Sequence, residues 1–581
     1  MTASEPNQAG KDTVLTIEDL TIGFARRNGE IRRVVEGLSL TAERGKTLCV
    51  VGESGSGKSM TARAILQILP APGQILSGRI QLHKGDGNIV DITALDPASR
   101  AMRGLRGSEI GMIFQEPMSS LGPIHRIGAQ ICEAIRTHED VSKEEARARA
   151  VELLRQVEIK NPELALNRYP FEYSGGMRQR AMIAIALACR PKLLIADEPT
   201  TALDVTTQAE ILDLLKRLQT DHGMSMLFIT HDMGVVAEIA DEIVVMRHGK
   251  AVEQGGVHEI FAQPRQAYTQ VLLDSARRLE GLEVSETVAA PDELADRPVV
   301  LSVRNLEVSF GGSTSFFGGK VPGIKAVDNV SFDLFEGEAL GIVGESGSGK
   351  TTLVRSLLRI VPMSAGQAVY TDAAGKTHDL ANAPTEDFRH LLSQIRMVFQ
   401  DPFASLNPRM TIGDIIAEPL HVMGLDKTMD VGARVDELLE RVELPRAFAA
   451  RYPHALSGGQ RQRIGIARAL APKPRIIIAD EATAALDVSL RVQVLDLMAL
   501  LKQELGISYI FIGHDIGVVR YFCDRIGVMY SGEMVELGDA EQVATAPRHA
   551  YTKALLSAIP MPDPTQRKLH QRVKYIKEAT A

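Results

Sequence analysis

The chain has little of what marks secreted, metal-binding or membrane-spanning proteins. Its 581 residues include only 4 cysteines, which lie far apart and show no C-x-x-C spacing. This argues against a disulfide framework or a zinc site and favours buried free thiols. The longest apolar runs, such as residues 193–196 and 476–479, are far shorter than the roughly 20 residues of a membrane span. The first residues also lack the basic-then-apolar layout of a secretory signal, so we expect a cytoplasmic protein.

An excess of basic charge is missing as well. The 65 Lys and Arg residues are outnumbered by 73 Asp and Glu residues, which gives a formal net charge of -8. This balance argues against nucleic acid as the main partner. The hydrophobic content of 45% and the charged content of 24% are those of a globular protein. The length exceeds what one hydrophobic core supports and predicts two or more domains.

What the chain does have is a tandem repeat of five short motifs in the same order. The spacing from the SGG motif to the Asp-Glu pair, and from that pair to a histidine, is identical in the two copies. The copies differ in length only upstream, where loops tolerate insertions. The first copy has GESGSGKS at 52–59, Gln115, SGGMRQR at 174–180, Asp197-Glu198 and His231, and the second has GESGSGKT at 344–351, Gln400, SGGQRQR at 457–463, Asp480-Glu481 and His514.

The first motif of each copy has the pattern of a phosphate-binding loop. Its glycines allow backbone N–H groups to surround phosphate oxygens, and each copy directly follows an apolar, strand-like run. Lys58 and Lys350 are expected to reach the β- and γ-phosphates, and the hydroxyls of Ser59 and Thr351 are expected to bind Mg²⁺. The nucleotide-binding residues predicted here are Gly52, Glu53, Ser54, Gly55, Ser56, Gly57, Lys58 and Ser59, and Gly344, Glu345, Ser346, Gly347, Ser348, Gly349, Lys350 and Thr351.

The acidic pairs follow apolar runs that predict strands of a parallel sheet covered on both faces. Asp197 and Asp480 suit the shell of the metal ion, whereas Glu198 and Glu481 suit orienting or deprotonating the attacking water. His231 and His514 are expected to contact the γ-phosphate. Gln115 and Gln400 can coordinate metal or water, and each begins a variable segment that could sense a partner. Alone, each residue would be an ordinary loop or strand end; the repeated spacing makes the functional interpretation stronger.

Each SGG motif is predicted to open a helix, whose N-terminal N–H groups form a second anion site. Since each copy already has its own phosphate loop, we expect each SGG motif to serve the nucleotide of the opposite copy. The residues concerned are Ser174, Gly175, Gly176 and Met177, and Ser457, Gly458, Gly459 and Gln460. Two further helices are predicted at 143–157 and 431–442, which are rich in Ala, Glu, Arg and Leu.

The combination of these motifs resembles the ATP-binding subunits of ABC transporters, over nearly the whole chain and in two copies. The resemblance implies an α/β fold of two tandem P-loop NTPase domains, each with a mainly parallel sheet, an antiparallel β part and a helical subdomain. It also implies a head-to-tail pair with two ATPs, Mg²⁺ and hydrolysis at two composite sites. Adenine-stacking aromatics would correspond to Phe24 and Phe310, for which a place in a strand core is the alternative.

The sequences following Gln115 and Gln400, together with AYTKALLSAIP at 550–560, resemble the oligopeptide, dipeptide and nickel import branch, in a fused form like glutathione-type and microcin-type importers. The resemblance implies two transmembrane permeases, an extracytoplasmic solute-binding protein and a peripheral position on the cytoplasmic face of the bacterial inner membrane. Some positions depart from the pattern. They include Met177, Gly122 opposite Asn407, Ala482 where the first copy has Pro199, and Gly513 where it has Thr230. None removes a catalytic group.

These motifs and their flanks predict the domain organisation. The predicted segments are a disordered N-terminus 1–12, an ATPase domain 13–263 with an appendage 264–282, an acidic linker 283–298, an ATPase domain 299–546 with an appendage 547–564, and a basic tail 565–581. The tail is expected to be a solvated end, and contact with acidic headgroups or with a partner is the alternative.

Other functions remain open at this point. A tandem-ATPase translation factor would also carry two such domains, but it would need a basic arm for RNA, and the junction here is short and acidic. Export is the second alternative, which only analogy disfavours. Peptides, either di- and oligopeptides or glutathione-like ones, are the leading cargo. Nickel complexes, oligosaccharides and opines stay open, because selectivity lies in other chains.

Overall fold

The structure is a computed structural model that describes residues 13–26, 28–84, 87–201, 203–281, 297–311, 313–314, 320–321, 323–484, 486–569, 571–573 and 575. The predicted disordered N-terminus and nearly all of the predicted linker lie outside the described residues. The chain divides into two compact units. Unit 1 comprises the described parts of 1–203, 207–276 and 560–571, and unit 2 those of 204–206, 277–559 and 572–581. The predicted domain boundaries stay predictions.

The first repeat contains two sheets. Strands β2, β1, β4 and β5 form an antiparallel sheet, and strands β10, β9, β3, β8, β7 and β6 form a second one that is parallel except for β10. The strands are β1 (Thr13–Ala25), β2 (Ile31–Glu43), β3 (Thr47–Val51), β4 (Gly73–His83), β5 (Ile89–Asp91), β6 (Ile110–Ile113), β7 (Leu193–Asp197), β8 (Ser225–Thr230), β9 (Glu242–Arg247) and β10 (Lys250–Gly256).

Helices cover the parallel sheet and form a separate helical part between β6 and β7. They are α1 (Lys58–Ile65), α2 (Arg100–Leu105), α3 (Pro117–Ser120), α4 (Ile127–His138), α5 (Lys143–Gln156), α6 (Pro162–Ala165), α7 (Gly175–Ala186), α8 (Val205–His222), α9 (Met233–Ile239), α10 (Val257–Ala262) and α11 (Ala267–Leu279). The last helix crosses the division between the units, which falls after Ala276.

The second repeat has the same architecture. Its sheets have the orders β14-β11-β16-β17 and β18-β19-β20-β15-β21-β22, with a short β12-β13 pair. The strands are β11 (Val299–Phe310), β12 (Ser313–Thr314), β13 (Lys320–Val321), β14 (Ile324–Phe335), β15 (Ala339–Val343), β16 (Ala365–Thr371), β17 (Thr377–Asp379), β18 (Ile395–Val398), β19 (Ile476–Asp480), β20 (Ser508–Gly513), β21 (Arg525–Tyr530) and β22 (Glu533–Asp539). The helices are α12 (Lys350–Leu357), α13 (Thr385–Gln394), α14 (Pro402–Ser405), α15 (Ile412–Val422), α16 (Val431–Arg441), α17 (Gly458–Leu470), α18 (Val488–Leu505), α19 (Ile516–Phe522), α20 (Ala540–Thr545) and α21 (Ala550–Ser557).

The apolar runs form strands as expected because both faces of the parallel sheet are covered. All five residues are buried in β3, in β7 and in the corresponding strands of the second repeat. Each repeat has a hydrophobic core between its antiparallel sheet, its parallel sheet and the helix that follows the phosphate loop. The predicted helices at 143–157 and 431–442 are confirmed as α5 and α16. Within the described part of the chain, no helix has both the length and the apolar character needed to cross a bilayer.

Candidate functional site

The phosphate loop of each repeat connects a buried central strand to a helix. In unit 1 the ammonium group of Lys58 donates to the carbonyls of Gly52 at 2.6 Å and Glu53 at 2.9 Å. In unit 2 Lys350 makes the same bonds to Gly344 at 2.7 Å and Glu345 at 2.8 Å. Each lysine therefore joins two carbonyls of its own loop and keeps that loop curved around its ammonium group. Burial lowers the pKa of Lys350, although neighbouring carboxylates oppose this effect.

The backbone geometry of each loop requires a glycine directly before the lysine. Gly57 has φ 101°, and a Cβ there would lie 2.8 Å from the Val34 carbonyl oxygen. Gly349 has φ 103°, and a Cβ would lie 2.2 Å from the Ala326 carbonyl oxygen. A side chain would be strained at both positions, because the left-handed region favours glycine and the adjacent strand leaves no space. The turn therefore aims the N-terminus of α1 or α12, with its partial positive charge, into the loop.

A tyrosine from the appendage of each repeat supports the loop from outside. The backbone N–H of Glu53 donates to the hydroxyl oxygen of Tyr268 at 3.1 Å, and that of Glu345 donates to Tyr551 at 3.0 Å. Both tyrosines are buried. The sequence signal was the repeated Pro-Arg-x-Ala-Tyr-Thr motif, which indicated an appendage without indicating that its tyrosine reaches the loop.

The predicted metal ligands lie together in each repeat. The hydroxyl of Ser59 donates to Asp197 at 2.8 Å, and that of Thr351 lies 3.3 Å from an oxygen of Asp480. Burial raises the pKa of Asp197, and the Ser59 hydrogen bond opposes it only in part. Burial also raises the pKa of Asp480. A cation beside these carboxylates would offset this cost of burying their charge.

Glu198 is held by several side chains of the first site. It accepts from the amide of Gln115 at 2.8 Å and from the hydroxyl of Thr201 at 3.0 Å, and Nδ1 of His231 lies 3.3 Å from its other oxygen. Burial acts to raise the pKa of Glu198, but the hydrogen bond and charge of His231, with the charge of Lys58, outweigh burial and hold the pKa at about 2. The carboxylate is therefore ionised and oriented by three neighbours.

The corresponding carboxylate of the second site has fewer partners. Glu481 accepts from the amide of Gln400 at 2.5 Å, and His514 lies 3.8 Å away. Burial acts to raise the pKa of Glu481, and His514 and Lys350 still lower it overall. A small open cleft reaches this carboxylate, with Arg491, Gly513, His514 and Asp515 among its lining residues.

Both glutamates have a backbone that the sequence did not indicate. Glu198 and Glu481 each have φ 46°, in the left-handed region that residues with a side chain rarely adopt. Such conformations concentrate at functional sites, where the surrounding structure maintains them. Each glutamate N–H donates at 3.0 Å to a carbonyl of the neighbouring strand, that of Ile229 or Ile512. The two neighbouring carboxylates have different partners in unit 1, since Asp197 accepts from Ser59 and Glu198 accepts from Gln115.

The SGG motifs open helices α7 and α17, as predicted. Ser174 caps α7 by accepting from the Met177 N–H at 3.3 Å, and Ser457 caps α17 through Gln460 at the same distance. Both serines are exposed, which leaves these helix N-termini accessible to an anion. Of the two aromatic candidates, Phe24 packs partly buried against the core, whereas Phe310 is 48% exposed.

Together these residues supply what phosphoryl transfer to water requires. Each repeat has a backbone loop and a lysine for phosphate, oxygen ligands for a hard cation, and an oriented carboxylate beside a histidine. Among the described residues, no group of three or more His, Cys, Asp or Glu side chains could hold a metal by itself. A cation here would take one hydroxyl, one carboxylate and the phosphate oxygens of the nucleotide.

Comparison with known proteins assigns the family. The family model described as ABC transporter matches residues 35–201 and 327–484, more than half of the chain. The chain belongs to the ABC transporter family. The family model for the oligopeptide/dipeptide transporter C-terminal region also matches this ABC transporter subunit twice, at residues 252–296 and 535–580. The predicted fold and the resemblance on which it rested are confirmed.

Curated relatives match this ABC transporter chain over nearly its full length. The glutathione import ATP-binding protein GsiA of Escherichia coli K12 is 47% identical over 96% of this chain and 91% of its own. The protein of the same name from Salmonella typhimurium LT2 is 45% identical over 95% and 90%. A solved dimeric bacterial ABC transporter cassette is 27% identical and covers 42% of this chain and 98% of its own, with a TM-score of 0.37. The chain is an ATP-binding subunit that hydrolyses ATP.

Proposed function

We propose that the chain is the energy-coupling ATPase of an importer for small peptides, with glutathione-like tripeptides as the leading cargo. The observation that carries the proposal is the 47% identity, over 96% of the chain, to a glutathione import ATP-binding protein. The two oligopeptide/dipeptide C-terminal regions support the same class of cargo. Two permeases would hold the chain peripherally at the membrane, and an extracytoplasmic binding protein would deliver the cargo.

In the proposed hydrolysis, the phosphate loops bind the β- and γ-phosphates of ATP. Lys58 and Lys350 are buried beside the loop carbonyls and supply positive charge where the phosphates lie. Glu198 and Glu481 orient the attacking water and accept its proton, while His231 and His514 hold the glutamate and γ-phosphate in register. Preorganised groups of this kind supply most of the acceleration in phosphoryl transfer.

The proposed magnesium ligands are Ser59 with Asp197 and Thr351 with Asp480. Mg²⁺ prefers oxygen ligands and is bound through one or two carboxylates plus substrate phosphates, which fits a hydroxyl and a carboxylate 2.8 Å apart in unit 1. When bound, it would neutralise charge on the phosphates. In this structure Gln115 and Gln400 donate to the glutamates, so we assign them to orienting the carboxylates and leave metal coordination as the alternative.

We further propose that Ser174 and Ser457, with the residues that follow them, act on the nucleotide bound by the other repeat, as the family resemblance implies. The test is disulfide trapping between Ser54→Cys and Ser457→Cys. Trapping is expected with ATP in a chain that also carries Glu198→Gln and Glu481→Gln, and not without nucleotide. Ser54→Cys paired with Ser346→Cys is the matched control. Trapping that ignores nucleotide would contradict the proposal.

Transport itself is tested by uptake in cells that lack the chain. Wild-type protein is expected to restore uptake of radiolabelled glutathione, whereas the Glu198→Gln, Glu481→Gln double variant is not. A labelled dipeptide and a labelled nickel complex, measured in parallel, define the cargo class. Restored dipeptide uptake without glutathione uptake would make dipeptides, in place of glutathione-like tripeptides, the leading cargo. No effect on any of them, with ribosomal proteins and no permease among the co-purifying proteins, would favour the translation-factor alternative.

A further inference from the structure

The segment after the second ATPase repeat is part of unit 1. Residues 560–571 follow the last helix of the second repeat, α21, in sequence but pack with residues of the first. The Arg567 guanidinium donates to the Ala237 carbonyl at 2.9 Å and also to the Ala240 carbonyl. The backbone N–H of Lys568 lies 3.2 Å from both carboxylate oxygens of Glu238, which is 1% exposed. The expectation of a solvated end is therefore wrong for Arg567 and Lys568.

The helix held by this segment is the one that follows His231, the first of the two histidines expected to contact the γ-phosphate, which we call the switch histidines. Helix α9 begins at Met233, two residues after His231, and Asp232 caps it by accepting from two backbone N–H groups. At its start, a Cβ on Gly234 would lie 2.4 Å from the Pro560 carbonyl oxygen. The segment thus touches both ends of α9, at Gly234 and at Ala237 to Ala240.

Unit 2 shows the same relation with different chemistry. Residues 277–281, which form the end of α11 in the first repeat and the two residues after it, belong to unit 2. There Arg278 donates to the hydroxyl of Tyr521 in α19 and lies 3.4 Å from Asp496. A Cβ on Gly517, the second residue of α19, would lie 2.9 Å from the Leu279 carbonyl oxygen. Helix α19 begins two residues after His514.

These contacts control how a short helix sits. A helix of seven residues is not stable alone, so packing and end contacts fix its position. The last carbonyls of α9 lack partners within the helix, and a cation is favoured there by the helix dipole. Arg567 supplies both the donors and the charge. In both units an arginine anchors the helix end that lies away from the histidine.

We propose that Arg567 and Arg278 are positioning residues, which hold the helix behind each switch histidine so that His231 and His514 face their glutamates. This rests on the catalytic role proposed for the two histidines. On this proposal, the oligopeptide/dipeptide C-terminal region contributes to ATP hydrolysis in both units. This region is matched at 252–296 and 535–580.

Arg567→Ala in a Glu481→Gln background, where only the first site turns over, is the first test. We expect kcat for ATP to fall about five- to tenfold with KM unchanged, because phosphate binding by the loop is not altered. Arg567→Lys, which keeps the charge and one donor group, is expected to recover part of the rate. The control is Arg265→Ala in the same unit, since its side chain is 77% exposed and pairs only at the surface with Glu259.

A double-mutant cycle separates positioning from general destabilisation. If Arg567 acts through His231, then Arg567→Ala has no further effect on kcat once His231→Ala is present. An equal fall in both backgrounds, a change in KM alone, or no change would overturn the proposal. If His231→Ala itself leaves kcat unchanged, the histidine's catalytic role is what fails. Arg278→Ala, measured with Glu198→Gln, repeats the test in unit 2, so misfolding of one variant leaves the other decisive.

Discussion

The two ATP sites use the same motifs but differ in how firmly they hold the glutamate that we propose to be catalytic. Glu198 accepts from Gln115 and Thr201 and lies near His231, and its side chain is 9% exposed. Glu481 has Ala484 where the first site has Thr201, and its histidine is farther away. Its side chain is 19% exposed. The comparison teaches that small changes beside a shared motif can make two sites unequal without removing any catalytic group.

A second difference lies behind the histidines. The Thr230 hydroxyl accepts from the Asp232 N–H at 3.1 Å, and Asp232 caps α9 through two N–H groups. Gly513 stands in place of Thr230 and has no hydroxyl, and Asp515 caps α19 through one N–H group. The turn carrying His514 therefore lacks the hydroxyl contact that Thr230 makes in unit 1, while Arg491 lies 3.8 Å from the Asp515 carboxylate.

The largest effect is expected when the glutamates are removed one at a time. Glu198→Gln leaves the second site and Glu481→Gln leaves the first. One additional hydrogen bond is worth about 1 kcal/mol, so we expect Glu481→Gln to keep roughly fivefold more turnover than Glu198→Gln. Steady-state phosphate release measures both rates. The double variant should lose ~100-fold or more, as expected for removing an acid–base group. Equal residual rates in the two single variants would contradict the proposed difference between the sites. An unchanged rate in either single variant would mean that the mutated site is dispensable.

Exchanging Thr201 and Ala484, the residues at the same place beside the two glutamates, tests whether the hydroxyl causes the difference between the sites. In the Glu481→Gln background, Thr201→Ala removes a 3.0 Å hydrogen bond to Glu198, and we expect kcat to fall about threefold. In the Glu198→Gln background, Ala484→Thr should raise kcat by a similar factor. Thr201→Ser keeps the hydroxyl and serves as the control. If Thr201→Ser loses as much as Thr201→Ala, the hydroxyl is not the cause.

A smaller effect is expected from changing Thr230, the residue that directly precedes His231. Thr230→Gly gives unit 1 the turn of unit 2 and removes the bond to the Asp232 N–H. We expect about twofold lower turnover in the Glu481→Gln background, and a free energy of unfolding lower by about 1–2 kcal/mol in denaturant titration. Thr230→Val removes the hydroxyl without adding backbone freedom and should show about half of the stability loss. Turnover that rises on loosening the turn would reverse our explanation of the second site.

The sequence allowed much of this architecture to be predicted because its signals are local. The apolar runs form the buried strands β3, β7, β15 and β19, and the SGG serines cap the N-termini of their helices. The left-handed backbone of Glu198 was not predictable, since glutamate has no preference for it and the surrounding fold imposes it. Thr201 and Ala484 each lie three residues after the glutamate, and the sequence does not indicate that the threonine hydroxyl reaches the glutamate side chain. Arg567 and Ala237 are 330 positions apart, and no periodicity joins them.

The membership of residues 560–571 in unit 1 has a consequence for synthesis. Domains of a nascent chain usually fold in the order in which the ribosome releases them. Here the compact unit that contains the first ATPase repeat takes in a segment translated after almost all of the second. Unit 1 is therefore completed only after almost all of the second ATPase repeat has been synthesised. A gene divided at the junction between the repeats would yield an N-terminal product that lacks part of its own fold until the other product supplies it.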